Sequence, residues 1–590
     1  MEPYILEKDG KQYMYRSTSH YSKEKGGPVS DVEYMGRVVD GKLRPKKGYS
    51  YDEKTGEFEP IASVVQKREG GVVRTLIFGD VYLLDALQRR LKILDDLVVA
   101  FGDEEARRIM AVAFAYAIRP EALMHMSDVI ERRAIRETLK LPRDLDFSSP
   151  RISELTERIG NQTDCVDTFF CRRITGSEGE FIFDLTTEST YSSRNTWAEW
   201  GRNKDRVNLK VIGLGLVTDR KGRPLMFYIY PGSMSDKVTL KRMVEDVARL
   251  GGEDATLVLD RGFVSPGNVM YMLENHVDFV MPMVVGNNHL MKSVVTGISE
   301  LVGDVKHLHV HGGRSYTVLQ LQMGIRRNKG GNAARNTVWE DPDGYDLLSQ
   351  DDQEFGSCEG FLDVFVFRDT ASAGEEVAGM DVALDGIIQD IEGAHPRDPA
   401  KFFQKTAGSY ANLLEYTMTK EGMHVEIKQN AHTFASNRKG VFVMITPAGS
   451  GRGCDDILNA YDVRDIIEDG FLEDKSEGDG RTPRSGLKPN IRGRTFIRMV
   501  ASIMRMEILS RISEISEDKR MRPEDKPRDI EKRTPTSLLG SLSNIEMVYG
   551  DGWKRMTELT KDNRLIFKMF DVGPMSDMGN RSQRCICNWI

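Results

Sequence analysis

The sequence predicts an α/β protein built on a mixed β-sheet, and three observations carry that reading. Short apolar runs near residues 181, 211 and 225, separated by turn signals, read as a three-strand meander. Helical and strand periodicities then alternate as far as residue 285. The alternation lapses for roughly 150 residues and resumes at residue 441.

Phe181-Ile182-Phe183-Asp184-Leu185 is the first expected strand, and Val211 to Val217 is the second. Arg220-Lys221-Gly222-Arg223 makes a turn into the third, Leu225 to Tyr230. Leu240, Met243, Val244, Val247 and Leu250 recur at helical spacing and mark one apolar face. Thr256 to Leu259 reads as a buried strand ending at Asp260, Ser265-Pro266 as a helix start, and Phe279 to Val285 as another strand. A meander followed by this alternation is the order of an RNase H-like mixed sheet, placing the first half of the core at 171–289. Val441 to Ile445 is a strand and Cys454 to Lys475 a helix, so the second half of the core is expected at 436–513. The intervening 290–435, polar and rich in Gly, Asn and Asp with β-like runs at Tyr316–Gln322 and Leu362–Phe367, reads as a β-rich insertion.

The flanks have their own grammar. Residues 1–65 alternate β-like runs with turns such as Lys25-Gly26-Gly27-Pro28 and Lys46-Lys47-Gly48, which suggests a small β-rich module. Over 66–170 helical spacing takes over, as in Leu83, Leu84, Leu87 and Leu91, or Ile109, Val112, Ala113 and Tyr116. Ser149-Pro150 is the expected N-cap and first position of a helix carrying Ile152, Leu155 and Ile159. This helical domain is either a scaffold or a DNA-end-binding unit. Glu514 to Thr534 is charged and proline-punctuated and reads as a linker, opening a C-terminal module, 514–590, with dimerisation as its candidate role.

A chain of 590 residues is too long for one hydrophobic core. Its 40% hydrophobic and 29% charged content is that of a globular protein, which sets fibrous and disordered classes aside. No run of about 18 apolar residues reads as a membrane span. Met1-Glu2-Pro3-Tyr4 carries no signal-peptide pattern, and six scattered cysteines form no CxxC pair, so a reduced, cytoplasmic protein is expected. The net charge of −8 argues mildly against a nucleic-acid partner. Between Arg481 and Arg511, however, Arg481, Arg484, Lys488, Arg492, Arg494, Arg498, Arg505 and Arg511 face the single acid Glu507. Such a run suits phosphates; its alternative is a solvated helix face.

Asp184 interrupts an apolar strand, which is costly for a charge unless it is paired or metal-bound. Asp260 ends another, and the Arg261-Gly262 turn leaves it at the carboxyl edge of the sheet, where open α/β sheets bind ligands. Singly, an acid at a strand end is more often a loop or cap residue. At the first and fourth strands of such a sheet, the two together suit a magnesium site, since Mg²⁺ takes carboxylate oxygens and serves phosphodiester chemistry. Tyr461, Arg464, Glu468 and Lys475 are spaced Y-x2-R-x3-E-x6-K and fall on one helix face. Glu468 would be the third acid, with a phenol and two cations beside it to grip a phosphate. An exposed helix with an Arg–Glu pair explains the same spacing, and Asp465, Asp469, Glu473 and Asp474 compete with Glu468 on composition alone.

With these residues in view, the chain resembles the DDE transposases of prokaryotic insertion sequences, in particular the insertion-sequence-4 group with its Tyr-Arg-Glu-Lys signature. Phe183-Asp184-Leu185-Thr186-Thr187 resembles the first-aspartate segment, and Leu259-Asp260-Arg261-Gly262-Phe263 the second. Pro231-Gly232-Ser233-Met234-Ser235-Asp236 resembles the loop after the third strand, and Ile491-Arg492-Gly493-Arg494 opens a helix like the one that follows the signature. The stretch from Lys475 to Ile491 matches nothing in the family, and the insertion is similar in composition only.

The resemblance implies a cut-and-paste transposase in which Asp184, Asp260 and Glu468 bind two Mg²⁺ ions, with Mn²⁺ as a substitute, for cleavage and strand transfer. It implies that Tyr461, Arg464 and Lys475 hold the DNA-end phosphates and the distorted terminal nucleotide. Arg492 and Arg494 are further candidate DNA contacts. Trp339, near Arg326, Arg327 and Arg335, is a candidate stacker for a flipped base, against Trp197, Trp200 or a plain core role. The implied partners are double-stranded DNA, as terminal inverted repeats and target, and a second copy in a homodimeric synaptic complex at the nucleoid. Alternatives are a structure-selective nuclease or resolvase on the same core, and a catalytically idle DNA-binding descendant. His307, His309 and His311 alternate, which puts them on one strand face; a transition metal would suit them, but a solvent-facing or core-lining strand is the preferred reading.

Overall fold

The computed structural model describes residues 3–8, 10–22, 27–46, 49–52, 58–60, 67–68, 71–72, 74–122, 125–177, 179–192, 194–201, 207–234, 236–283, 289–327, 345–462, 486–550 and 553–573. The chain divides into two units. One comprises Met1–Ile77, Ile545–Glu558 and Pro574–Ile590; the other comprises Phe78–Asn544 and Leu559–Gly573. In the first, Tyr4–Lys8, Lys11–Ser22, Gly27–Val39 and Lys42–Pro45 form an antiparallel meander in chain order. A separate three-stranded sheet places Glu546–Gly550 between Trp553–Met556 and Arg74–Ile77.

The larger unit opens with helices. Among them α1 (Asp103–Ile118) is buried from Ile109 to Ile118, as its alanine-rich sequence allows. Helix α2 spans Ser149–Asn161 and α3 spans Thr163–Thr175. The α2 start corrects the sequence reading by one residue: Ser148 is the N-cap, and its hydroxyl donates to Asp146 rather than capping the helix.

Among the described residues, ten strands then form one mixed sheet. Strand β1 is Glu180–Thr190, β2 is Lys210–Thr218 and β3 is Pro224–Pro231; after α4 (Asp236–Arg249) come β4 (Thr256–Leu259), α5 (Pro266–Glu274) and β5 (Phe279–Met283). Strands β6 (Leu308–His311), β7 (Arg314–Arg327), β8 (Gly360–Asp369) and β9 (Val441–Pro447) complete the path β3-β2-β1-β4-β5-β9-β8-β7-β6, with Tyr345–Ser349 paired to β7. Strands β1 to β3 are antiparallel neighbours, whereas β4 runs parallel to β1 and β5 parallel to β4. The expected meander and alternation are therefore present as elements. Strand β1 runs five residues past its apolar run because Thr186 to Thr190 stay paired to β2. Ser265 caps α5 by accepting from the Asn268 N–H, with Pro266 in the first turn.

The segment expected to be a β-rich insertion contributes β6, β7, β8 and Tyr345–Ser349 to this same sheet, through β9. It also carries more helix than the sequence reading allowed. Thr370–Ile391 buries Met380, Leu384 and Ile391 at helical spacing and joins Pro399–Ala407 and the hairpin Leu414–Ile427 in a small core of its own. Residues 514–534, expected to be a linker, begin inside the long helix α6 (Lys488–Glu517) and include buried Ile530.

The two sheet faces are covered differently. Helix α4 lies over the face of Phe181 and Leu185: a Cβ on Gly215 would meet Leu185 at 2.9 Å and Met243 at 3.6 Å. The opposite face carries Ile182, Val258, Val280, Met444, Phe365, Phe367, Val318 and Tyr316 in one cluster with Ile457, Leu458 and Ala460. Those last three belong to a helix at 454–462. Among the described residues no helix is long and apolar enough to cross a membrane.

Candidate active site

Side chains alternate between faces along a strand, so Asp184 shares the face of Ile182 and Asp260 that of Val258. The parallel register pairs Ile182 with Val258 and Phe183 with Leu259. One step further on each chain stands an aspartate. Asp260 keeps an extended backbone, φ −80° and ψ 160°, so the alternation holds as far as its side chain. The fold thus brings Asp184 and Asp260 to neighbouring positions, on one face, where β4 ends. Both are half-buried. Each carboxylate accepts the next residue's N–H, Leu185 at 2.8 Å and Arg261 at 2.6 Å, which fixes its rotamer.

The face bearing the two aspartates is the one covered by helix 454–462. Tyr461 lies in the last described turn, its ring stacked on Phe442 at 5.3 Å and 15°. Glu468, Arg464 and Lys475 lie outside the described residues, as do Trp339, Arg335, Arg481, Arg484 and the competing acids Asp465, Asp469, Glu473 and Asp474.

The helix enters from a fixed point. Arg452 donates to both carboxylate oxygens of Asp278, at 2.6 Å to Oδ1, to Thr256 Oγ1 at 2.7 Å and to Thr446 Oγ1 at 3.1 Å. Thr256 Oγ1 donates in turn to Asp278 Oδ2 at 2.6 Å. This network joins the start of β4, the start of β5 and the end of β9 to the segment that begins the helix. Burial pushes the Asp278 carboxyl up, but hydrogen bonds from Arg452 and Thr256 and the Arg452 charge outweigh it and hold it below its ordinary value.

Helix α6 corrects the reading of the basic run. Arg498 and Arg505 are buried. Arg498 pairs with Glu188 on β1 at 2.6 Å, and Arg505 donates to the Ala117 carbonyl at 2.8 Å and to Thr536. Arg511 donates to the Met569 carbonyl. The charges of Arg498, Arg505 and Arg511 are thus met by partners within the protein, so these three are neither a solvated face nor a phosphate stripe. Arg492 donates to the Gly160 carbonyl at 3.0 Å, and its guanidinium lies 5.9 Å from the centre of the Trp197 ring. Arg494 is half-buried. A Cβ on Gly493 would lie 1.8 Å from the Thr156 carbonyl oxygen, and one on Gly160 1.8 Å from that of Pro489. These glycines let α2 and α6 cross backbone to backbone. Trp200 is 62% exposed, whereas Trp197 is half-buried beneath Lys488 and Arg492.

The histidines depart from expectation. His307 closes a short turn before β6, its Nδ1 facing the Val318 carbonyl, so His309 and His311 alone share a strand face. That face turns towards helix 454–462, where both rings meet Asp455. Asp455 is the residue that sequence reasoning missed. Its seven-residue spacing from Asp462 was a readable signal, but its partners lie about 145 residues away in the chain.

Comparison with known proteins bears on residues 175–337, which match the family model described as the transposase DDE domain. The matched segment contains both aspartates and supports a DDE transposase. Among solved structures, the chain is similar to a piggyBac transposase synaptic complex with hairpin DNA. That similarity is 12% in identity, covers 69% of this chain and 73% of that chain, and has a TM-score of 0.21. No curated protein matches the chain.

Proposed function

We propose that the chain is a cut-and-paste DNA transposase with an RNase H-like catalytic core, cutting transposon ends and joining their 3′ hydroxyls to target DNA. The observation that carries this is the placement of Asp184 and Asp260 side by side at the end of β4, on the face crossed by the helix leading towards Glu468. The strand path 3-2-1-4-5, with strands 1 to 3 antiparallel and 4 and 5 parallel to strand 1, supports the core assignment.

The donor set fits magnesium: two carboxylates share one face at adjacent strand ends, and hard oxygen ligands are what this ion takes. Asp184, Asp260 and Glu468 would hold two ions, which when bound activate a nucleophile and stabilise the leaving oxygen. The remaining work falls to the chain itself. Tyr461, whose ring stacks on Phe442, would hold the DNA end through its phenol. Arg464 and Lys475 bind end phosphates, Arg464 through two parallel donors. Among the described residues Trp200 is an exposed tryptophan that would be available to stack a displaced base.

The test is joining, which separates a transposase from a nuclease or resolvase. Labelled DNA carrying the inverted repeats that flank the gene is incubated with the protein, Mg²⁺ and a supercoiled target. Transfer of label into the target is expected. Cleavage without transfer would assign a nuclease, and neither would assign a non-catalytic DNA-binding protein.

A further inference from the structure

We infer that His309, His311 and Asp455 form a binding site for a divalent transition metal of the zinc class, separate from the aspartate pair on β1 and β4. His309 Nε2 lies 3.0 Å and His311 Nδ1 2.9 Å from the same oxygen, Asp455 Oδ1. The three ligand atoms all fall within 4.8 Å of one another. Zinc bonds to imidazole nitrogen and carboxylate oxygen of about 2.0–2.2 Å imply tetrahedral edges of roughly 3.3 Å. Two edges are already within a few tenths of an ångström of that. The rings are nearly parallel, at 15°, as adjacent same-face residues of one strand should be.

A second feature is what a metal-bound histidine uses. His311 Nε2, the nitrogen turned away from Asp455, lies 3.3 Å from Asp462 Oδ2. A carboxylate on the far nitrogen of a ligating imidazole fixes its tautomer and raises its basicity. Asp455 and Asp462 sit seven residues apart on helix 454–462, so a single helix supplies both the ligand and the orienting group. The histidines are well shielded, with side chains 26% and 13% exposed, while both aspartates open to solvent and give an ion access. Three protein ligands leave one tetrahedral position for water. Imidazole and carboxylate together suit zinc and its first-row neighbours and are a poor set for magnesium.

Such a metal would staple strand β6, at the far edge of the sheet, to the helix that covers the aspartate-bearing face. Its role is to hold that helix in place.

The experiment uses the full chain in excess Mg²⁺, titrated with Co²⁺ and separately with Zn²⁺, reading tetrahedral cobalt absorption and calorimetric stoichiometry. One equivalent is expected, with a rise in melting temperature. His309→Asn and Asp455→Asn should lose it, while keeping the wild-type circular dichroism without metal. Asp462→Asn should bind roughly 10–100-fold more weakly while keeping the stoichiometry. Asp184→Asn should bind as the wild type does. The inference is overturned if the folded wild type takes up no transition metal beyond what Asp184→Asn loses. It is equally overturned if His309→Asn and Asp455→Asn bind unchanged; the cluster is then two histidine–aspartate ion pairs and nothing more.

Discussion

Asp184 and Asp260 follow directly on Phe183 and Leu259, the last registered pair of two parallel strands. This makes a carboxylate pair out of residues 76 apart in the chain, through backbone pairing alone. On the proposed function, in which these two and Glu468 are the metal ligands, Asp184→Asn, Asp260→Asn and Glu468→Gln should each lower Mg²⁺-dependent end cleavage by about a hundredfold or more. DNA affinity should hold to within a few-fold, because it comes from phosphate contacts elsewhere. Cleavage and electrophoretic binding assays on the same preparations check both halves. A variant that still nicks at the wild-type rate takes its residue out of the site.

Among Tyr461, Arg464, Glu468 and Lys475, the expected division of labour is cation for phosphate and acid for metal. Arg464→Ala and Lys475→Ala should each flatten the salt dependence of end binding by about one unit of slope. They should impair the steps after first-strand nicking more than nicking itself. Tyr461→Phe should be milder, since its stack on Phe442 survives. Intact and pre-nicked end substrates compared over a salt series decide the matter. Equal losses on both with an unchanged slope would leave these side chains as mere supports for Glu468.

The Glu188–Arg498 pair is buried on both sides, at 11% and 8% side-chain exposure. Arg498→Met should destabilise the chain by roughly 3–5 kcal/mol, because it strands a buried carboxylate. Arg498→Met combined with Glu188→Leu should recover most of that loss, since no charge is left unpaired. Denaturant midpoints of the two single variants and the double variant measure the coupling. Additive losses would show that the two residues do not interact.

Arg452 gives a pH-dependent expectation. The folded Asp278 carboxyl titrates below its ordinary value. Its stabilising effect is thus present in full above the unfolded pKa, near 3.9, and fades as pH falls from there towards the folded value. Arg452→Ala should cost about 1 kcal/mol at pH 7, a screened figure because the Asp278 side chain is 39% exposed. The deficit should shrink below about pH 4. Unfolding of the two proteins at pH 7 and pH 3.5 checks the sign; a deficit that grew on acidification would contradict it.

What could be read from the sequence follows the range of the interaction concerned. Strand β4, the Ser265 cap and the apolar face of α4 were legible because each is written within about a dozen residues. The tail of β1 was not, since Thr186 to Thr190 are strand only by virtue of their partners on β2. Helix Thr370–Ile391 was written in Met380, Leu384 and Ile391, but its three glycines diluted the signal. Arg498 and Arg505 misled for a chemical reason: a guanidinium looks the same in sequence whether it meets a phosphate, a buried carboxylate such as Glu188 or a carbonyl such as that of Ala117. Asp184 and Asp260 could be picked out as acids in apolar strands, whereas their adjacency needed the parallel register. Asp455 could not be tied to His309 and His311 at all, because that contact exists only in three dimensions.

The seam between β9 and β8 bears on how this protein could be shortened. Residues 289–440 invite removal as a loop-out between two halves of a core. Strand β9, however, is paired on both sides, to β5 by Met281–Met283 and to β8 from Leu362 to Arg368. Excising the segment would leave the whole outer side of β9 with bare amides and carbonyls, next to a strip of Val443, Met444 and Ile445 that is now sealed. A long, apolar, unpaired strand border is a template for joining molecules end to end. The trimmed protein would therefore come out of cells as aggregate even if every residue of the candidate site were intact, unless a charged or proline-bearing strand were grafted on to close the border.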